Sequence, residues 1–305
     1  MADHIGQQLG NYQLVQLLGE GSFAAVYLGG HIHLGTLAAI KVLHAELTSE
    51  DVSIFRTEAR VVAHLIHPNI VRVLEFGIEE SIPFLVMDFA PHGTLRQRYP
   101  RGTQLPLVTV VSCISAIADA LQYAHDERLI HRDVKPENML VGRRNEILLS
   151  DFGIATLAQS SHDRRFSDTA GTMAYMAPEQ IQGKPCPASD QYSLAIVAYE
   201  WFCGTCPFPG SSAIEVAMKH LSEQPPPLRD AVPAIPSVVE QVVMRALAKN
   251  LEERFANIRD FAVALEQASS IGTALVSQTP LQGGQLPSLG TPTTVSSDNS
   301  FPTLS

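Results

Sequence analysis

The stretch Ile130-His131-Arg132-Asp133-Val134-Lys135-Pro136-Glu137-Asn138 sets an acid, a cation and an amide around a helix-breaking proline. Shortly after it, Leu149-Ser150-Asp151-Phe152-Gly153 places a second acid between apolar residues. A solvated surface loop explains neither the apolar flanks nor the order of these residue types. The set suits phosphoryl transfer. One carboxylate can orient an attacking hydroxyl, a cation can meet the transferring oxygens, and an amide with a second carboxylate can hold a divalent metal.

Two upstream features fit the same chemistry and are weak alone. Gly19-Glu20-Gly21-Ser22-Phe23-Ala24-Ala25-Val26 lies between two strand-like runs. Its glycines let a hairpin backbone approach a phosphate chain and present N–H donors, although many hairpins carry two glycines. A strand follows where a dinucleotide fingerprint requires a helix. Ala38-Ala39-Ile40-Lys41 then ends a strand pattern, and Glu58 follows on a helical one. A lysine buried at that place needs an anionic partner, which Glu58 could be; either residue alone reads as surface charge.

The elements that must carry these residues change character along the chain. Short β-rich runs are expected at 12–18, 25–29, 37–42, 71–77 and 83–88, with one helix at 53–65 among them. From Leu107 the apolar period becomes helical, through Val110, Ile114, Ile117, Leu121 and Ala124. Further helices are expected at 189–202, 211–220, 237–247 and 258–268. A sheet-rich part followed by a helix-rich part predicts a two-lobed α+β molecule with its ligand cleft between the lobes.

The chain has 305 residues, 45% hydrophobic and 17% charged, which is an ordinary globular balance. Its net charge of −10 disfavours nucleic acid as a partner. No apolar run reaches a membrane span, and Met1-Ala2-Asp3-His4 does not begin a signal peptide. With four scattered cysteines, this points to a cytoplasmic setting. Cys203 and Cys206 form one C-x-x-C, readable as a redox or zinc element or as small apolar residues at a helix end. Residues 266–305 are rich in Ser, Thr, Pro and Gly and are expected to form a disordered tail.

These motifs, in this order, resemble those of bacterial eukaryotic-type (Hanks-type) serine/threonine protein kinases. Gly171-Thr172-Met173-Ala174-Tyr175-Met176-Ala177-Pro178-Glu179, Asp190 and Arg254 extend the resemblance over residues 12–265. The resemblance implies a bilobal protein-kinase fold: an N-terminal extension at 1–11, a small β-rich N-lobe with one key helix at 12–87, a hinge at 88–91, and a larger helical C-lobe at 92–265. It implies that Gly19 to Val26 cover ATP, with Leu18, Val26, Ala39 and Leu140 around adenine, Met87 as gatekeeper, and Asp88 and Ala90 at the adenine edge. Lys41 would hold phosphates and be held by Glu58. Asp133 would be the catalytic carboxylate, Lys135 would meet the γ-phosphate, and Asn138 and Asp151 would ligate Mg²⁺, or Mn²⁺ in its place. Glu179 and Arg254 would form a buried ion pair.

Lys135 and Thr172 are similar to the residues that mark serine and threonine, rather than tyrosine, as acceptors in this family. The Ala177-Pro178-Glu179 segment implies protein substrates. Thr169 or Ser167, paired with Arg132, would be regulatory phosphorylation sites, with homodimers phosphorylating in trans. Three residues depart from the family pattern: Ala24 replaces the third glycine of the loop, Ala195 replaces a packing glycine, and Thr156 stands where a second phosphate-binding cation is common. The alternative is a pseudokinase scaffold. Such scaffolds typically lack one of Lys41, Asp133 or Asp151.

Overall fold

Apolar residues directed to both faces of its central strands make the first third a sheet. The structure, a computed structural model, describes residues 4–21, 24–44, 49–79, 81–152 and 173–277. Strands β1 (Gln8–Leu9), β2 (Tyr12–Glu20), β3 (Ala24–His31), β4 (Leu37–Leu43), β5 (Val73–Glu79) and β6 (Ile82–Asp88) form one antiparallel sheet in the order β1-β2-β3-β4-β6-β5. Ile40, Val42, Phe84 and Val86 enter one apolar cluster, whereas Leu43, Leu85 and Met87 enter the main core on the opposite face. Successive strand residues point to opposite faces, so Lys41 shares the main-core face with Leu43. Gly29 is required by packing, since a Cβ there would meet Cγ1 of Ile40 at 2.6 Å.

Helix α1 (Ser49–Ala63) buries Phe55 and Val62 against the main-core face of this sheet, and Ala59 is buried on the same helix. Beyond the sheet lie the short helix α2 (Leu95–Arg98), α3 (Leu107–Asp126), a 3₁₀ turn (Pro136–Asn138) and the hairpin β7 (Met139–Val141) and β8 (Ile147–Leu149). The chain ends in α4 (Pro178–Ile181), α5 (Pro187–Cys203), α6 (Ala213–Ser222), α7 (Leu228–Ala231), α8 (Ser237–Ala246), a 3₁₀ turn (Leu251–Glu253) and α9 (Ile258–Ser277). Helix α5 is buried on nearly every side, which explains its apolar centre Leu194–Ala198. Among the described residues α3 alone is long and apolar enough, by length and composition, to cross a membrane. Its residues Val110, Ile114, Ile117 and Leu121 are buried in the main core.

The expected elements are present, with boundaries moved by a few residues. The clearest departures are at the two ends. The expected N-terminal extension contributes β1, whose Leu9 is fully buried in the sheet's outer cluster. The expected tail begins too early at 266, because α9 runs past Ala268 to Ser277 and buries Leu265 and Ala268. Sequence composition marked the loss of charge there, but apolar residues still recur at helical spacing through Ile271. Residues 278–305 lie outside the described residues.

Candidate active site

Lys41 on β4 and Asp151 just past β8 meet across the cleft, with Nζ 2.7 Å from Oδ1. Burial pushes the Asp151 carboxyl up, but the ammonium of Lys41 outweighs it and holds the group below its usual range. Glu58 lies on α1, and its side chain falls outside the described ones. The expected Lys41–Glu58 pair therefore has no described geometry, and the described carboxylate partner of Lys41 is Asp151.

The loop from His131 to Asn138 is organised around its own side chains. Nδ2 of Asn138 donates to the backbone carbonyl of Asp133 at 2.8 Å and to its Oδ2 at 2.9 Å. Nζ of Lys135 lies 2.8 Å from the same Oδ2. Pro136 starts the 3₁₀ turn that brings Asn138 back over Asp133. With its amide nitrogen committed to Asp133, Asn138 has its carbonyl oxygen left for a cation. Among the described residues no hydrogen bond or ion pair occupies Oδ2 of Asp151. Both are hard oxygen donors, so the residues present fit a Mg²⁺-like ion.

His131 joins this loop to the second acid. Its Nδ1 accepts the backbone N–H of Asp133 at 3.2 Å, so Nε2 carries the proton and donates to the Ser150 carbonyl at 2.8 Å. Its ring also packs on Phe152, with centroids 4.6 Å apart. Ser150 in turn donates its backbone N–H to the Asn138 carbonyl at 2.9 Å. Asp133, Asn138 and Asp151 are thereby tied into one unit.

Asp190, in the first turn of α5, is the anchor beneath the loop. One of its oxygens accepts the backbone N–H of His131 and the other that of Arg132, each at 2.9 Å. Nε2 of His125 approaches Oδ2 at 2.7 Å. These bonds hold Arg132 at φ 68°, a left-handed conformation unusual for a side-chain-bearing residue. Asp151 sits at φ 66°, so two non-glycine residues of the site carry this strain. Arg132 exposes its side chain, while its carbonyl accepts from Gln180 at 2.7 Å.

The expected nucleotide-contact residues fall on adjacent strands. Val26 pairs with Lys41, and Ala39 pairs with Met87. Ala24, Ala25, Ala39 and Met87 are buried, Val26 and Leu140 half-buried, and Leu18 exposed. Gly19 and Glu20 are the last residues of β2, paired with Val26 and Ala25, and Gly21 just beyond donates its N–H to the Ala24 carbonyl at 2.9 Å. Asp88 is exposed and Ala90 half-buried beside it. Ser22 and Phe23, Gly153, Thr156, Ser167, Thr169 and Thr172 lie outside the described residues.

Glu179 and Arg254 form the expected buried pair, with Nη1–Oε1 and Nη2–Oε2 both at 2.9 Å. Burial raises the Glu179 carboxyl, but the Arg254 hydrogen bonds prevail and lower it. Sequence reasoning missed a second such centre. Arg96 on α2 lies 2.8 Å from Glu137 and 2.8 Å from Glu200, and its guanidinium also reaches the Tyr175 hydroxyl. Burial disfavours the Arg96 charge, but Glu200 and Glu137 more than restore it. The Thr94-to-Gln97 capping box marks the helix in the sequence. Nothing local pairs Arg96 with Glu200, 104 positions away.

Cys203 and Cys206 stand at the C-terminal end of α5, where Gly204 takes the left-handed capping conformation. All four cysteines are free, and among the described residues no His, Cys, Asp or Glu cluster could hold a metal. Burial raises both thiols of this pair, Cys206 to about 12. The reading as small apolar residues at a helix end fits.

Comparison with known proteins agrees with this arrangement. The protein kinase domain family matches residues 12–265. Serine/threonine-protein kinase Pkn1 of Myxococcus xanthus is 39% identical over 272 residues, covering 87% of this chain and 39% of its own length. Serine/threonine-protein kinase PrkC of Bacillus subtilis is 33% identical over 268 residues, covering 87% of this chain and 41% of its own length. The chain thus spans about two fifths of these curated relatives. The crystal structure of a mutant of the Mycobacterium tuberculosis PknI kinase domain superposes with TM-score 0.70 at 32% identity, over 88% of this chain and 100% of that one. With a sheet-built N-lobe, a helical C-lobe and the paired acids at their junction, the chain belongs to the protein kinase family.

Proposed function

We propose that this chain transfers the γ-phosphoryl group of ATP to serine and threonine hydroxyls of proteins. The observation that carries the reading is the Asp133 carboxylate, whose Oδ2 is held by Lys135 and Asn138 at 2.8 and 2.9 Å. That leaves Oδ1 to receive the proton of an attacking hydroxyl. The hydroxyl oxygen bonds to the γ-phosphorus, the bond to the β-phosphate oxygen breaks, and ADP departs. Lys135 meets the charge on the transferring oxygens, and Lys41 meets the α- and β-phosphates. Asn138 and Asp151 would hold Mg²⁺, or Mn²⁺ in its place, which would screen the phosphate charge. Leu18, Val26, Ala39 and Leu140 enclose adenine, with its edge at Asp88 and Ala90.

We place this activity in cytoplasmic signalling, where ATP is supplied and four free cysteines persist. Phosphorylation at Thr169 or Ser167, performed in trans by a second copy, would bring charge to Arg132. The purified chain, incubated with Mg²⁺ and ATP, should incorporate phosphate at Ser and Thr residues mapped by mass spectrometry. The Asp133→Asn chain should bind ATP yet lose turnover by orders of magnitude; wild-type incorporation by that variant would overturn the reading.

A further inference from the structure

Helix α2 is fastened to the strand that carries Leu140. The Gly93 carbonyl accepts the Val141 N–H at 2.9 Å, and Thr94 forms a single antiparallel bridge with Leu140. Two residues on, the Arg96 side chain is largely buried, with 15% of it exposed. It commits four of its five N–H donors to three separate elements. Nε donates to Oε1 of Glu137 at 2.8 Å, in the 3₁₀ turn that also holds Asn138. Nη1 and Nη2 grip the Glu200 carboxylate of α5 at 2.8 and 3.0 Å, and Nη2 also reaches the Tyr175 hydroxyl.

Tyr175 completes the junction. Its hydroxyl donates to Oε2 of Glu200 at 2.5 Å, and its carbonyl accepts from the Ser193 hydroxyl at 2.7 Å. Burial above all, and then Cys206 and Glu200, push the phenol up, so it keeps the proton that it donates. The same segment runs on to Gln180, whose amide meets the Arg132 carbonyl at 2.7 Å. One guanidinium thus joins the turn beside Asp133 to the segment that flanks Arg132.

Among the described residues, Arg96 bonds to none of those assigned to ATP, the metal or the acceptor hydroxyl. We propose that Arg96 is a positioning residue for phosphoryl transfer, a role that presupposes the kinase activity proposed above. It fixes the separation between the Asp133–Asn138 turn and the Tyr175 segment. Glu137 and Glu200 bring two carboxylates to one partly buried place, and the single guanidinium both neutralises and spaces them. Without it the carboxylates repel. Glu137 is the one with room to move, since its side chain is 36% exposed and that of Glu200 only 4%. Displacing Glu137 displaces Asn138, the next residue, and with it the amide that holds Asp133. A misplacement of about 1 Å at a reacting group can cost about a hundred-fold in rate.

The test is steady-state kinetics of the full chain with Mg²⁺, ATP and myelin basic protein, each rate divided by the folded fraction from circular dichroism. Arg96→Met should lower kcat about 10- to 100-fold, while ATP affinity, measured by nucleotide binding, moves less than about two-fold. A lysine restores the charge without the two-pronged grip, so Arg96→Lys should lie between Arg96→Met and the parent. Removing one repelling carboxylate should help too: Arg96→Met with Glu137→Gln should turn over faster than Arg96→Met alone. Millimolar ethylguanidinium should raise kcat of Arg96→Ala several-fold and leave the parent unchanged. A merely structural arginine would leave kcat per folded molecule at the parent's value, and that result overturns the proposal. So does an ATP affinity that falls as far as kcat, which would show general loosening. If the parent itself transfers no phosphate, the kinase reading fails first and this role falls with it.

Discussion

Nζ of Lys41 stands 2.7 Å from Oδ1 of Asp151, joining residues 110 positions apart and fastening the sheet to the hairpin that carries the second acid. The ammonium keeps Asp151 ionised, against its burial. A carboxyl lowered in the folded state stabilises the fold above its unfolded value, near 3.8, and that contribution is lost as pH falls through the lower folded value. Lys41→Met should abolish phosphorylation. It should also remove this acid-side contribution, so that unfolding of the variant and of the parent converges as pH falls below 3.8. Unchanged turnover in the variant would refute the role of Lys41.

The Glu179–Arg254 pair is buried and bidentate. Arg254→Leu leaves a carboxylate without its cation and should destabilise the chain by about 3–5 kcal/mol in urea unfolding. Replacing both residues with apolar ones should restore much of that loss, because no unpaired charge then remains. The carboxyl of Glu179 is lowered, so the pair's contribution is present above about pH 4.5 and fades as pH falls further.

Asp190 offers one oxygen to each of two successive backbone N–H groups. Asn offers one oxygen and turns an NH₂ toward a donor. Asp190→Asn should therefore relax the left-handed turn at Arg132 and leave a buried N–H unpaired, at a cost of about 1–3 kcal/mol. Turnover should fall more than ATP affinity, because the loop presents Asp133. Equal losses in both would show a general unfolding instead.

Activation-loop phosphorylation should be modest in effect. Arg132 is an exposed cation beside Asp133, and Thr156 leaves the second usual cation position without charge. Thr169→Ala should reduce the rate several-fold at most, measured after phosphatase treatment and renewed incubation with ATP. Identical rates throughout would remove the regulatory role.

The fold and the candidate site were legible to different depths. Strands and helices follow from periods of about two and about 3.6, and the positions of Asp133, Asn138 and Asp151 from one short motif pair. The pairing of Glu179 with Arg254 came only through resemblance, since local spacing says nothing about residues 75 positions apart. Arg96 escaped both routes. Its charge reads as the solvated face of a short helix, and only tertiary packing reveals that Glu137 and Glu200 converge on it. Composition alone puts a tail boundary at 266, whereas α9 continues on apolar residues after its charges end.

The Arg96 centre has a consequence for how the enzyme comes into being. It draws together partners 41, 79 and 104 positions distant, while Lys41 waits for Asp151 across 110. Closing such long loops costs entropy before any contact rewards it, so these junctions form late in folding. A nascent or refolding chain can build α3 and the sheet hairpins from local contacts while it has no assembled site. Helical signal should return first on refolding, and the assembled site last.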